Sequence, residues 1–275
     1  ILTFTPVVVF PNCKINLGLH ILGKRNDGYH DLATVFYPLP VKDVLEIVKA
    51  PALQLSVTGI PVAGPPEKNL CVKAWELLKT DFPDLSPVTI CLHKNIPMGA
   101  GLGGGSADGA FMLSLLNNKF NLQLSKEQLL QYALQLGSDC PFFIHNQPCV
   151  ATGRGEILTP IALNLSNYSF LLVHPGVHVN TAWAFSQISS TGNDTALDAI
   201  VQQPVETWKH QLINDFEAPV TSHHPALQEI KTKLYEAGAI FASMSGSGSA
   251  FYGIFPKNQL PENDWPSQYR VFLLP

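Results

Sequence analysis

A chain of 275 residues that is 46% hydrophobic and only 14% charged can bury a substantial core, which excludes an intrinsically disordered protein. The net charge of −4 excludes a broad basic surface of the kind that binds nucleic acid, so we expect no nucleic-acid partner. An anionic ligand would therefore be held locally, by backbone amides and a few placed cations.

The cysteines and the apolar segments indicate where the protein works. Five scattered cysteines without a CxxC pair disfavour both a disulfide framework and a structural zinc site, so we expect a reducing cytoplasm. They are Cys13, Cys71, Cys91, Cys140 and Cys149. No apolar run approaches the ~18–20 residues of a membrane-spanning helix, so no membrane association is expected. A monomer and a homodimer both stay open.

The first strongly periodic segment, residues 13–22, alternates apolar and polar side chains and predicts a half-buried strand. This period places Lys14 and Asn16 together on the face away from the core. A loop follows over 23–28, and its Asn-Asp-Gly sequence is typical of a turn. Further elements are strands over 34–37, 44–48, 53–57 and 88–93, and a helix over 70–79 with Asn69 as its N-cap.

The second half of the chain alternates less regularly. Residues 107–116 are apolar nearly all round and predict a buried helix. Ser125 and Gln128 form a capping box at the start of the next helix, which Gly137 ends. The remaining predicted elements are a strand over 168–173, a turn at 175–176, a polar and poorly patterned stretch over 186–203, a helix over 225–237 and strands over 239–244 and 250–255. This mixed order predicts an α+β protein of two lobes, residues 1–162 and 163–275.

A glycine-rich loop lies between a predicted strand and the predicted buried helix. Its residues are Pro97, Met98, Gly99, Ala100, Gly101, Leu102, Gly103, Gly104, Gly105 and Ser106. Glycines let the backbone approach phosphate oxygens closely, and the amides at the start of the following helix favour negative charge. We therefore interpret the loop as a phosphate cradle, in which Ser106 caps the helix or coordinates Mg²⁺.

Three other interpretations of this loop are weaker. Gly99, Gly101 and Gly104 match the dinucleotide fingerprint GxGxxG, but the acidic residue expected about 20 positions later is missing around 122–124. A Walker A loop would need a lysine directly before Ser106. A turn that serves packing alone is disfavoured, because five glycines fall within seven positions.

Two charged residues and a second glycine turn each allow a structural and a functional interpretation. Asp139 follows the capped helix and enters an apolar run, so it is either a helix cap or a functional carboxylate. Lys14 alone would be a solvated residue on a strand face. The Ser/Gly run over 245–249 is either a flexible hairpin or a backbone wall against a substrate or a triphosphate.

Three segments in this order, 11–17, 97–106 and 243–248, resemble the GHMP kinase superfamily, which includes galactokinase, homoserine kinase and mevalonate kinase. Segments 24–30, 136–142, 153–156 and 174–176 resemble the member of that superfamily that acts in the non-mevalonate isoprenoid pathway. The resemblance implies an N-terminal lobe like the second domain of ribosomal protein S5 and a ferredoxin-like C-terminal lobe. It also implies ATP- and Mg²⁺-dependent phosphorylation of the 2-hydroxyl of a methylerythritol that carries a cytidine diphosphate group.

The resemblance also assigns site residues. Lys14 and Asp139 would form the catalytic pair, with Asp139 accepting the proton of the substrate hydroxyl. The implied ligand contacts are Tyr29, His30 and Phe185 on the cytosine, Phe36 beside them, Thr181 near the substrate hydroxyls, and Asn69 and Lys94 near the adenine. The remaining expected substrate contacts are Asn16, Gly246, Ser247 and Gly248. Cys13 departs from the alanine more usual in the family.

The rival functions are another small-molecule kinase of the superfamily, such as a homoserine or mevalonate kinase, and a non-catalytic ligand sensor of the same fold. An NAD-binding oxidoreductase is a more distant alternative. Without the resemblance, Tyr29 would be taken for a turn residue and Phe185 for a core residue.

Overall fold

The structure is a computed structural model that describes residues 7–188, 196–262 and 264–275. The described residues form two compact units. The first unit comprises residues 7–13, 38–98 and 103–146, and the second comprises residues 14–37, 99–102 and the described part of 147–275. The division of the chain into lobes 1–162 and 163–275 stays a prediction.

Strands and helices are mixed along the described chain. In chain order the strands are β1 (Val7–Val9), β2 (Asn12–Lys24), β3 (His30–Lys42), β4 (Val44–Lys49), β5 (Gln54–Gly59), β6 (Val88–Lys94), β7 (Cys149–Thr152), β8 (Ile157–Pro160), β9 (Tyr168–His174), β10 (Phe241–Met244), β11 (Phe251–Pro256) and β12 (Arg270–Leu274). The helices are α1 (Leu70–Asp81), α2 (Gly104–Phe120), α3 (Lys126–Leu136), α4 (Cys140–His145), α5 (Thr181–Ser186), α6 (Leu197–Val201), α7 (Glu217–His223) and α8 (Pro225–Glu236). Short 3₁₀ helices cover Pro66–Lys68 and Val205–His210.

Local sequence signals explain the helix ends. The side chain of Asn69 accepts a hydrogen bond from the backbone of Cys71 and caps α1, as predicted. Ser125 and Gln128 form the predicted capping box of α3, and Gly137 is its C-cap. The cap of α1, the capping box of α3 and the glycine that ends α3 are therefore confirmed. In each case the sequence signal lies within a single helical turn.

The first unit is built on a sheet with the strand order β1-β4-β6-β5, in which β5 and β6 are parallel and the other pairs are antiparallel. Helix α2 is buried along most of its length, as its apolar sequence predicts. A Cβ atom on Gly109 would lie 2.9 Å from the Cβ of Leu70, so this glycine allows α2 to pack closely on α1.

The second unit contains two sheets, with the strand orders β2-β3-β7-β8 and β10-β11-β9-β12. The second sheet is antiparallel throughout and shares a core with α7 and α8. Leu171, Val173, Val220, Leu227 and Phe251 are among the fully buried residues of that core. Strand β12, which pairs with β9 about a hundred residues earlier in the chain, was not predicted.

Two expectations from the sequence are corrected. Strand β2 was expected to be half-buried, but both of its faces are buried from Asn12 to Ile21, and Lys14 is only 4% exposed. Its polar face packs into a network of hydrogen bonds rather than into water. The stretch 186–203 was expected to be poorly patterned, yet Leu197–Val201 forms α6; residues 189–195 of that stretch lie outside the described residues.

Within the part of the chain that the structure describes, no helix has the length and hydropathy needed to cross a bilayer.

Candidate active site

The middle of the glycine-rich loop, residues 99–102, is fixed within the second unit by three different segments. The backbone nitrogen of Lys14 donates to the carbonyl of Leu102 at 2.9 Å, and the backbone nitrogen of Ala250 donates to the carbonyl of Ala100 at 3.1 Å. The hydroxyl of Ser245 donates to the carbonyl of Gly101 at 2.8 Å. The structure therefore brings together all three segments on which the resemblance rests.

Glycine is required at position 101 for two reasons. Its φ of +79° lies in the left-handed region that favours glycine. A Cβ atom there would also lie 1.9 Å from the carbonyl oxygen of Ser245, inside any allowed contact. The loop and the second glycine turn therefore touch backbone to backbone.

The second glycine turn, residues 245–249, is buried rather than an exposed hairpin. Ser245 and Ser249 are both 0% exposed. The side-chain amide of Asn214 donates to the carbonyls of Met244 and Gly246, at 2.8 and 2.9 Å. These contacts rule out a free hairpin and hold Gly246, Ser247 and Gly248 in place beside the glycine-rich loop; their contact with a ligand stays a prediction.

Lys14 and Asn16 form the centre of a buried polar network. The ammonium of Lys14 donates to the side-chain oxygen of Asn16 at 2.6 Å and lies 4.6 Å from the ring centre of Phe36. The side-chain amide of Asn16 donates to the hydroxyl of Thr34 at 2.9 Å, and its backbone nitrogen donates to the hydroxyl of Ser245 at 3.2 Å. Three predicted site residues are thus in contact, and this network fixes the direction of the ammonium.

The residues expected to hold the cytosine also lie within the second unit. The rings of His30 and Phe185 are stacked, with centroids 4.7 Å apart and an interplanar angle of 17°. Tyr29 precedes His30 in the chain, and its side chain is exposed. Thr181 begins α5, the helix that carries Phe185, and shares a hydrogen bond of 3.0 Å with Ser247. Helix α5 therefore supplies one ring of the aromatic pair through Phe185 and contacts the second glycine turn through Thr181.

The start of α2 and the start of α4 meet within the first unit. The side chain of Ser106 is hydrogen-bonded to the thiol of Cys140, and burial raises the pKa of that thiol to about 12. Asp139 stands directly before α4, but its carboxylate makes no capping hydrogen bond to this helix. This observation weakens the structural interpretation of Asp139. Its pairing with Lys14, which belongs to the second unit, stays a prediction.

Lys94 is the centre of a buried cluster of charges. Its ammonium pairs with the carboxylate of Asp43 and, at 2.7 Å, with Oδ2 of Asp108. The other oxygen of Asp43 accepts a hydrogen bond of 2.8 Å from the backbone of Ile96, in the segment that leads to the glycine-rich loop. The cluster therefore anchors that segment from within the first unit.

Burial sets the electrostatics of this cluster. It raises the pKa of the Asp108 carboxyl to about 7, although the ammonium of Lys94 pulls that pKa down. Burial alone would lower the pKa of Lys94, but the two carboxylates outweigh it and the pKa is raised. A proton held by the Asp108 carboxyl reduces the negative charge around Lys94, and a smaller net charge lowers the cost of burial.

Asn69 and Lys94 were expected beside the adenine, and both have structural partners. Asn69 caps α1, and the side chain of Lys94 is 0% exposed within its cluster. Their contact with a nucleotide stays a prediction. Asp43 was not predicted as a site residue. A lysine that is buried at the end of an apolar strand, as Lys94 is, nevertheless requires a carboxylate partner.

The described residues contain no group of three or more histidine, cysteine, aspartate or glutamate side chains arranged to hold a metal ion. Ser106 as a Mg²⁺ ligand therefore stays a prediction. A single hydroxyl suits a magnesium ion that is held mainly by phosphate oxygens and water.

Comparison with known proteins places this geometry in a family. The models of the GHMP kinases N terminal domain and the GHMP kinases C terminal domain match residues 69–147 and 196–265. A Bacteroides thetaiotaomicron protein named 4-diphosphocytidyl-2-C-methyl-D-erythritol kinase is 51% identical over 271 residues, which cover 97% of this chain and 98% of the relative. A Bacteroides fragilis protein of the same name is 50% identical over 268 residues, which cover 96% of this chain and 97% of the relative.

Solved structures agree with the sequence relatives. A crystal structure of 4-(cytidine 5′-diphospho)-2C-methyl-D-erythritol kinase aligns with a TM-score of 0.80 at 30% identity and covers 98% of both chains. A homoserine kinase from Cytophaga hutchinsonii aligns with a TM-score of 0.69 over 98% of this chain and 94% of its own; at 16% identity it shows the fold alone. The predicted α+β GHMP kinase fold is confirmed, and the chain belongs to the 4-diphosphocytidyl-2-C-methyl-D-erythritol kinase family of the GHMP kinases.

Proposed function

We propose that this protein transfers the γ-phosphoryl group of ATP to the 2-hydroxyl of 4-diphosphocytidyl-2-C-methyl-D-erythritol, giving the 2-phosphate and ADP. The names of its relatives supply the substrate. The observation that carries the proposal is the contact between the strand of Lys14 and the glycine-rich loop, through the 2.9 Å bond from the backbone nitrogen of Lys14 to Leu102. A kinase needs a cation beside its phosphate cradle, and this bond ties the two together.

The glycine-rich loop would bind the triphosphate. Positive φ angles at Gly99 and Gly101 give the backbone a shape that side chains disfavour, and the amides at the start of α2 add their dipole. Mg²⁺ would be held by the phosphate oxygens together with the hydroxyl of Ser106, where it would neutralise the charge of the triphosphate. Asn69 and Lys94 would lie near the adenine, as the family pattern implies.

The cytidine diphosphate group of the substrate would bind at the aromatic residues of the second unit. Tyr29 and Phe185 would stack on the cytosine and His30 would hydrogen-bond to it, with Phe36 beside them. The hydroxyls of Thr181 and Ser247, 3.0 Å apart, would face the substrate hydroxyls together with Asn16, Gly246 and Gly248. Stacking and hydrogen bonding of this kind suit a nucleotide, whereas homoserine and mevalonate have no aromatic base that could stack.

In the proposed reaction, Asp139 accepts the proton of the 2-hydroxyl as its oxygen attacks the γ-phosphorus of ATP. The new P–O bond forms as the bond to the oxygen bridging the β- and γ-phosphorus atoms breaks, and ADP leaves with that electron pair. The ammonium of Lys14 stabilises the negative charge on the transferred group. Its bond to Asn16 fixes the direction from which it acts.

The deciding experiment measures ADP release with ATP, Mg²⁺ and each candidate alcohol in turn. We expect release with 4-diphosphocytidyl-2-C-methyl-D-erythritol and none with homoserine or mevalonate. Turnover of either rival alcohol alone would contradict the proposal. Calorimetric binding of the cytidine-bearing substrate and ATP without ADP release would make the protein a ligand sensor.

We also propose that the protein works in the bacterial cytoplasm, as a monomer or a homodimer. Its five cysteines, all among the described residues, form no disulfide, which suits a reducing compartment. Size-exclusion chromatography with light scattering would decide between the two oligomeric states.

A further inference from the structure

Arg154 stands in a segment that the proposed reaction leaves without a role. It lies in the turn between β7 and β8, where Glu156 accepts a hydrogen bond from its backbone nitrogen and pairs with its Nε at 3.5 Å. Gly153 has a φ of +68°, and a Cβ atom on it would lie 2.8 Å from the Glu156 carboxylate. The turn is therefore shaped so that the carboxylate of Glu156 holds the arginine.

This turn is fixed to the strand that follows Tyr29. The carbonyl of Gly153 accepts a hydrogen bond of 2.7 Å from the backbone of Leu32 in β3. The guanidinium carbon of Arg154 lies 4.6 Å from the ring centre of Tyr29, over one face of the ring. Glu156 thus holds the backbone nitrogen and Nε of Arg154, while the guanidinium lies over the aromatic ring.

Tyr29 itself has a fixed backbone and an exposed ring. Its carbonyl accepts a hydrogen bond of 2.8 Å from the backbone of Arg25, and its backbone nitrogen donates to Asp27 at 3.1 Å. The side chain of Arg25 pairs with Asp27 and Asp31 and closes the turn. The residue is nevertheless 54% exposed, so among these contacts the guanidinium is the one that holds the ring.

We propose that Arg154 is a positioning residue that covers one face of Tyr29 and presents the opposite face to the cytosine of the substrate. This inference rests on the proposed function. An exposed aromatic side chain loses rotamer freedom when a base stacks on it, and a cation already seated on the ring removes part of that loss. A planar guanidinium stacks on a ring in a way that an ammonium does not, so Arg154→Lys is not an equivalent substitution.

The first test is the steady-state kinetics of Arg154→Ala. We expect the KM for the cytidine-bearing substrate to rise about 3- to 10-fold, with kcat and the KM for ATP unchanged within about twofold. Arg154→Lys should recover part of the loss. Lys209→Ala is the matched control, because Lys209 lies over the ring of Tyr235 at 4.4 Å in a pair that shares no residue with the Tyr29 turn. An unchanged KM for the cytidine-bearing substrate in Arg154→Ala would overturn the inference. A kcat that falls by the same factor by which this KM rises would also overturn it.

The second test separates positioning from a direct contact with the diphosphate. Calorimetry would measure the affinity of wild type and Arg154→Ala for cytidine and for cytidine diphosphate. If Arg154 acts through Tyr29, both ligands lose affinity by the same factor, because both stack the same base. A loss confined to cytidine diphosphate would overturn the positioning role.

Wild-type turnover distinguishes this inference from the proposed function. If the wild type phosphorylates the substrate and Arg154→Ala keeps its KM, the inference fails and the function stands. If the wild type releases no ADP with the substrate, the function fails and the inference falls with it.

Discussion

The ammonium nitrogen of Lys14 lies 2.6 Å from the side-chain oxygen of Asn16, two residues later on the same face of β2. The Asn16 side chain is itself fixed, because its amide donates to Thr34 at 2.9 Å. In the proposed reaction the direction of this ammonium matters, since charge stabilisation depends on a preorganised donor.

Replacing Asn16 with leucine should therefore lower kcat by roughly 10- to 100-fold, as expected when a catalytic group is misplaced by about 1 Å. Steady-state assays at saturating ATP and substrate would measure this fall. Asn16→Asp keeps an oxygen acceptor for the ammonium and should lose less activity. Equal kcat values in Asn16→Leu and wild type would show that Lys14 needs no such support.

Replacing Asp139 with asparagine should lower kcat by ~10²–10⁴-fold if this carboxylate is the general base. The reason is that an amide cannot accept the hydroxyl proton, while the size of the side chain is kept. Asp84→Asn, at an exposed position of the same unit, is the matched control and should keep its kcat. A near-normal kcat in Asp139→Asn would mean that positioning alone suffices.

Replacing Gly101 with alanine should lower the free energy of unfolding by about 1–3 kcal/mol and raise the KM for ATP. A Cβ at this position would lie 1.9 Å from the carbonyl oxygen of Ser245, and the φ of +79° is strained for alanine. Urea denaturation and ATP titration would measure the two effects. Gly23→Ala is the control, because nothing lies within 4 Å of its Cβ position.

Asp108 should contribute a loss of stability as the pH rises from about 4 to about 7. Its folded-state pKa of about 7 lies above the ordinary pKa of about 3.9, so the folded protein keeps a proton that the unfolded chain releases. The contribution is complete below about pH 4 and is lost as the pH rises towards 7. Urea denaturation over this range should show a smaller decline in Asp108→Asn.

Lys94→Met is the companion variant for this cluster. It leaves the carboxylates of Asp43 and Asp108 buried without their ammonium, which should cost about 3–5 kcal/mol of stability near neutral pH. A Lys94→Met protein as stable as wild type at about pH 8 would show that the two buried ion pairs of Lys94 do not support the fold.

His20 should make the protein less stable in acid. Burial lowers its pKa below the ordinary value of 6.5, although Asp215 pulls it up, and among the described residues neither of its ring nitrogens finds a hydrogen-bond partner. A lowered folded-state pKa means that this contribution is present above about pH 6.5 and is lost as the pH falls.

Urea denaturation at about pH 7.5 and about pH 5 would measure this effect, since the two values lie on either side of the ordinary histidine pKa. The wild type should lose more stability between them than His20→Leu. His210→Gln, at an exposed position, should behave as the wild type does. An identical loss in all three proteins would exclude His20 as the cause.

The sequence predicted elements whose signals are local. The capping box at Ser125 and Gln128 and the cap at Asn69 were found because a few neighbouring residues carry the whole signal. Strand β12 was missed because its five residues, one arginine followed by four apolar residues, lack the period of two that marks a half-buried strand. An alternation of apolar and polar residues also does not show whether the polar face is exposed to water or buried and hydrogen-bonded within the protein. For this reason the burial of Lys14 was unexpected.

The candidate site was predicted from motifs, but the supporting residues were not. The motifs indicated Lys14, Tyr29 and the glycine-rich loop, whereas the carboxylate of Asp43 meets Lys94 from 51 positions away. Such a pairing leaves no pattern in a single sequence. The same holds for Arg154, whose contact with Tyr29 depends on the packing of two turns.

The polar network around Lys14 joins segments that lie far apart in the chain. The hydroxyls of Ser245 and Tyr252 bond to the backbone of Asn16 across 229 and 236 positions. During synthesis the strand of Lys14 therefore cannot complete this network until Tyr252 has left the ribosome. Contacts of such long range slow folding and expose intermediates to aggregation, so chaperone dependence and slow refolding should accompany this arrangement.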